Sequence, residues 1–151
     1  MKKEEEKLLF ADICARTPYN VLVRNIKLNF DGYVMSPSRY QPLSVLTYDL
    51  SGGEDQGFSP IEDIRPYLRP MSNMTEEEKK ELCDKYNVCS DKILNTLTLR
   101  EHSKGCWDED TECSFVDYLW FIDWLNAHHF DYRGLIEKGL ALEAQEGMYK
   151  I

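Results

Sequence analysis

No stretch of this sequence is long and apolar enough to span a bilayer as a helix, which takes about 20 consecutive apolar residues. No membrane association is therefore expected. Positive charge is scarce as well: 18 Lys and Arg stand against 27 Asp and Glu, leaving a formal charge of −9. A protein that grips a nucleic-acid backbone needs a basic face to displace counterions, and no run of Lys and Arg supplies one. Nucleic acid is not expected as a partner.

The familiar catalytic signatures are missing too. Gly52-Gly53 has neither the flanking spacing nor the lysine of a phosphate-binding loop. There is no Gly-x-Ser-x-Gly elbow and no His-Glu-x-x-His pair. Structural zinc sites usually pair ligands two to four residues apart, and Cys83 with Cys89 or Cys106 with Cys113 are spaced too widely. His102 beside Cys106 adds little. The acidic run Asp108, Glu109, Asp110, Glu112 lacks the ligand order and central glycine of a calcium loop. No metal and no cofactor is expected. The five cysteines are odd in number and irregularly placed, and MKKEEEK is not followed by the apolar core of a secretory signal. A cytoplasmic setting with reduced thiols follows from these two features.

What is present describes an α+β chain. With 151 residues it forms one domain or two small ones that share a core. Glu4 to Arg16 reads as a helix with Leu8, Leu9 and Ile13 on its apolar side, stopped by Pro18. From Tyr19 to Leu68 the pattern shifts to short strands. Asp31-Gly32 gives a hairpin signal. Leu43 to Leu50 alternates most clearly, Ser51 to Asp55 is a turn, and Gly57-Phe58-Ser59 pairs back. Pro60 to Asp63 makes one helical turn before Ile64 to Leu68. This succession suggests a small antiparallel sheet, either an SH3-like barrel or a curled sheet, in the N-terminal half.

Arg69 to Asn73 marks a boundary, giving units 1–70 and 71–151. Thr75 and Glu78 form a capping box for a surface helix, Glu76 to Tyr86, whose apolar stripe is thin. Ile93 to Leu99 reads as a strand and Ser103 to Glu112 as a loop. Ser114 then caps a densely apolar helix. Phe115, Tyr118, Leu119, Ile122 and Leu125 form one face of it, and Val116, Trp120 and Trp124 a second. Gly134 suits a left-handed turn, Leu135-Ile136 plugs the core, and a short final strand follows Gly139. The C-terminal half is thus expected to be helical with a short last strand.

His128, His129 and Asp131 are the most suggestive cluster for chemistry, since two imidazoles and a carboxylate can hold a metal or relay protons. Adjacent histidines at a helix end point in different directions, however. The plainer alternative has one histidine capping the helix C-terminus and the other packing. Trp120 and Trp124, with Tyr33, Tyr40 and Tyr48, are candidate contacts for a partner, although core burial suits the tryptophans better.

Two segments, IEDIRPYLRPMSNMTEEEKKEL (Ile61 to Leu82) and DWLNAHHFDYRGLIEKGLALEAQEGMY (Asp123 to Tyr149), carry a resemblance. Together they resemble a group of gut-bacterial proteins from prophage-like and other mobile regions. That group has no assigned activity, so the resemblance transfers no catalytic residue. It implies bacterial or phage origin, an intracellular setting and an accessory role. The reading preferred here is a non-enzymatic protein–protein interaction module that binds another protein or self-associates. The alternatives are a small hydrolase or nuclease using His128, His129 and Asp131, and an acidic inhibitor that mimics DNA.

Overall fold

Helix α1 (Lys3–Arg16) has Glu4, Glu5 and Glu6 in its first turn and Arg16 in its last, the order that complements the helix dipole. The computed structural model describes residues 1–38, 43–53, 55–86 and 115–149. Leu9, Phe10 and Ile13 form the buried side of α1. Pro18 lies in the 3-10 turn Thr17–Tyr19 that ends the helix, and Asn20, at φ 56°, redirects the chain into the sheet.

Five strands follow in the order of the sequence signals: β1 (Leu22–Asn25), β2 (Phe30–Ser38), β3 (Ser44–Asp49), β4 (Asp55–Pro60) and β5 (Ile64–Leu68). The 3-10 turn Ile61–Asp63 links β4 to β5. A two-residue β6 (Leu142–Glu143) comes from the far end of the chain and pairs parallel with β5. The order across the sheet is β4-β3-β2-β1-β5-β6, and every pairing but the last is antiparallel. The sheet is not closed into a barrel; among the described residues β4 and β6 are its edges. It is strongly curled nonetheless. Asn25 on β1 donates to Ser59 Oγ on β4 at 2.9 Å, although two strands separate them in the sheet.

The first hairpin turns earlier than the Asp31-Gly32 signal predicts. Asp31 and Gly32 lie inside β2, and the turn is Ile26 to Asn29. Asn25 Oδ1 accepts hydrogen bonds from the Lys27 and Leu28 amides at 3.1 and 2.8 Å, and Asn29 adopts φ 58°. An asparagine that bonds its own downstream backbone makes the turn without help from glycine. Gly32 is needed for a different reason: a Cβ there would strike the Tyr48 carbonyl group on β3. Gly32→Ala is therefore expected to lower stability by about 1–3 kcal/mol through overpacking between β2 and β3. An unchanged urea midpoint would show that the strands separate there at no cost.

Helices α2 (Glu76–Tyr86) and α3 (Phe115–Ala127) complete an α+β architecture of three helices and six strands among the described residues. The capping box forms: Glu78 accepts from the Thr75 amide at 2.8 Å, and Thr75 Oγ1 accepts from the Glu78 amide at 3.2 Å. Burial along α3 is uneven. Leu119, expected on a covered face, is 51 % exposed, whereas Trp124 and Leu125 in the last turn are buried. Past Ala127 the chain is not helical; it runs through turns to β6, with Gly134, Gly139 and Gly147 at positive φ. The readings placed on Tyr40, Ile93 to Leu99, Ser103 to Glu112 and Ser114 lie outside the described residues.

Two apolar clusters result. The larger joins Leu9, Phe10 and Ile13 of α1 to Val23, Val34, Val45, Ile64 and Leu68 of the sheet, and takes in Leu135, Leu140 and Ala141. The smaller joins Met74 and Leu82 to Trp124, Leu125, Phe130 and Tyr132. Phe130 and Leu135, only a short turn apart, are fully buried in different clusters. The turn after α3 is therefore the seam between the two cores.

Candidate functional site

That turn is built residue by residue from its hydrogen bonds. The His129 amide donates to Asn126 O at 3.1 Å and the Phe130 amide to Leu125 O at 3.0 Å. This is the paired bonding of a Schellman helix end, in which the left-handed position usually holds glycine. Here it holds His129, at φ 57°. His128 Nδ1 lies 2.9 Å from Trp124 O, so the tautomer protonated there adds a second donor to a carbonyl in the last turn of α3 that the His128 amide already reaches at 3.0 Å. Its ring stacks on Trp124 at 3.9 Å.

The next residues tie the helix end to β5 and to α1. The Arg69 amide donates to His129 O and the Asp131 amide to Arg69 O, each at 2.8 Å. The Arg69 guanidinium forks onto Glu78 at 2.6 and 2.9 Å and lies 4.3 Å from the centre of the Phe130 ring. Burial, the largest single influence on Glu78, opposes its ionisation, but the Arg69 hydrogen bonds, the Thr75 amide and the Arg69 charge act together against it, and the carboxyl is held below its ordinary range. Asp131 accepts from the amides of Leu135 and Ile136, both at 2.8 Å, and so folds the loop that delivers Leu135 to the larger core. Below it, Asp12 and Arg16 form a fully buried pair at 2.7 and 3.1 Å. Arg16 also donates to Phe130 O at 2.8 Å, while Arg133 reaches Asp12 at 3.2 Å.

His129 itself is buried, its ring stacked on Tyr149 at 3.7 Å. Burial first, then the nearby Arg16 charge, pushes its pKa down to about 3, against a hydrogen bond to the Tyr19 main chain. The ring is thus neutral at ordinary pH. Its Nδ1 has no partner among the described residues.

The three residues singled out for chemistry are brought close along the chain but not to one point. His128 caps α3, His129 packs under Tyr149, and Asp131 caps the following loop. No hydrogen bond joins any two of them, and no group of three or more His, Cys, Asp or Glu side chains among the described residues is arranged to hold a metal ion.

The aromatic candidates separate into two places. Trp124 is buried and donates its indole N–H to Glu81 at 3.1 Å. Trp120 is half-buried beside it, with Lys85 Nζ 5.3 Å from the ring centre. Tyr33 and Tyr48, by contrast, are direct cross-strand partners on β2 and β3. Leu46 lies on the same face as Tyr48, two residues away, and pairs with Phe58 on edge strand β4. Phe58 is 58 % exposed, and Met35, at the register shift in β2, is exposed too. A strip of large uncharged side chains therefore crosses the outer sheet face and ends at β4, which has no partner strand on its outer side among the described residues.

Sequence reading missed Arg16, Arg69, Arg133 and Tyr149, the residues that tie the seam together, and Phe58 on the outer face. The Asp12-to-Arg16 spacing was the one local signal for the seam, since side chains four apart on a helix meet. No family pattern, curated protein or solved structure matches the chain. No helix among the described residues is long and apolar enough to cross a membrane.

Proposed function

We propose that the chain is a non-enzymatic protein–protein interaction module, a cytoplasmic accessory protein of bacterial or prophage origin. The observation that carries this reading is the uncharged strip Tyr33, Tyr48, Leu46 and Phe58 beside β4, an edge strand among the described residues. An edge strand offers unpaired N–H and C=O groups to a partner strand, and flanking apolar side chains supply affinity. The partner is a protein that lays an extended segment along β4 and covers Phe58. The curl of the sheet and the 3-10 turn before β5 support an SH3-like path for this half of the chain. The engaged state of His128, His129 and Asp131 weighs against the hydrolase reading. The burial of Asp12, Glu78 and Asp131 weighs against a DNA-mimicking acidic surface.

A photo-crosslinking residue placed at Phe58 or Tyr48 is expected to give one discrete protein adduct in host cells, while the same residue at exposed Glu77 on α2 gives none. An adduct of two identical chains would identify the partner as a second copy. Equal labelling from all three positions, or none from Phe58 and Tyr48, overturns the proposal.

A further inference from the structure

Tyr149 occupies an unusual position for a side chain. The β1–β5 ladder pairs Asn25 with Ile64, Arg24 with Arg65 and Val23 with Pro66, and there it stops. At the next step the Tyr149 hydroxyl lies between the two strands, accepting from the Leu22 amide at 3.1 Å and donating to Tyr67 O at 2.7 Å. The phenol completes the ladder as a wedge, and its ring roofs His129. The chain leading to it is thinly held. Ala144 donates to Leu68 O at 2.8 Å, and the next main-chain bond among the described residues is internal, Met148 to Gln145 O at 3.1 Å. Gln145, Glu146 and Gly147 between them are exposed.

We propose that residues 144–149 form a releasable strap, keyed by Tyr149, that opens ahead of the rest of the fold and uncovers His129 when the surroundings become acidic. Release costs one ring stack and three hydrogen bonds to the sheet, and it returns conformational freedom to a largely exposed segment. Acid favours it because the closed site has no place for a second proton on His129. Among the described residues Nδ1 lacks an acceptor, and the charges facing the ring are Arg16 from α1 and Arg69 after β5, with His128 from the end of α3. Asp12 and Glu78, the nearest carboxylates to those arginines, are already paired with them. Burial, more than these charges, keeps the closed ring's pKa near 3. Once uncovered, the ring returns toward its ordinary value of about 6.5.

The sign follows from proton uptake. The open form binds more protons between about pH 6.5 and pH 3, so closure is complete above that window and weakens as pH falls through it. Between pH 8 and pH 5 the open fraction should rise about thirtyfold. The Leu22 amide reports this directly, because its acceptor is the Tyr149 hydroxyl.

Native-state hydrogen exchange on the full chain is the test. The protection factor of Leu22 should lie below those of the β3 amides and fall about thirtyfold from pH 8 to pH 5. His129→Gln should remove the pH dependence. Tyr149→Phe keeps the stack but not the wedge, and should lower Leu22 protection about tenfold while the urea midpoint barely moves. Leu22 exchanging only with global unfolding at both pH values overturns the proposal, as does a pH dependence that survives His129→Gln. If His129→Gln does not fold, the wild-type ring decides between the two outcomes. A two-state opening visible at its resonances below pH 6.5 supports the strap, and a single closed environment down to pH 4 refutes it.

Discussion

Arg16→Met is expected to destabilise the protein by about 3–5 kcal/mol, the usual cost of leaving a buried charge without its partner. Asp12 and Arg16 have no exposed side-chain surface, and among the described residues the two-pronged contact between them is the only full one either makes with an opposite charge. With Arg16 gone, Asp12 keeps only Arg133 among the described residues, at 3.2 Å and partly in water, and Phe130 O keeps the Tyr132 amide at 3.0 Å but loses the guanidinium. The effect should appear as a lower urea midpoint with an unchanged slope. Replacing both partners, as Asp12→Leu with Arg16→Met, should recover much of the loss, because the isolated charge is then gone. A single Arg16→Met variant within 1 kcal/mol of wild type would mean that Asp12 finds solvent or another cation.

The second large effect belongs to Asp131. Asp131→Ala removes the acceptor of two amides, one of them in the buried stretch at Leu135, and charge-assisted hydrogen bonds contribute about 1.5–3 kcal/mol each. A loss of about 3 kcal/mol or more is expected, with Asp131→Asn intermediate because its one oxygen keeps part of the cap. Amide exchange at Leu135 should rise in step. This separates an architectural role from a chemical one: a carboxylate held for proton transfer would tolerate the isosteric amide with little change in stability.

The parts of the fold that were legible in the sequence are those fixed by neighbours along the chain. The apolar side of α1, the alternation of β3 and the Thr75–Glu78 capping box all read correctly because each is a contact within a few residues. The first hairpin did not, because Asn25 and Asn29 supply the turn that Asp31-Gly32 seemed to offer. Barrel closure depends on which strands become edges, which no local pattern encodes. At the candidate site, the plainer view of one histidine capping and the other packing agrees with His128 at Trp124 O and His129 under Tyr149, but no local pattern says which does which. A histidine in a glycine position makes sense only once Tyr149 covers it. The wedge itself joins residues 127 and 82 positions apart. Likewise, alternation places Leu46 and Phe58 on one face without saying that this face is the uncovered one.

The central claim is that the most conspicuous motif, His128 to Arg133, is the seam of the fold, whereas function resides on the strip ending at Phe58. The most direct measurement compares Phe58→Asp with Asp131→Asn in two readouts, urea stability and yield of the adduct from a crosslinker at Tyr48. The expected result is that Phe58→Asp stays within about 1 kcal/mol of wild type and loses the adduct, since exposed positions tolerate substitution. Asp131→Asn should lose stability and keep the adduct while it remains folded. The reverse pattern, with the adduct lost in a stable Asp131→Asn protein and kept in Phe58→Asp, would contradict the claim.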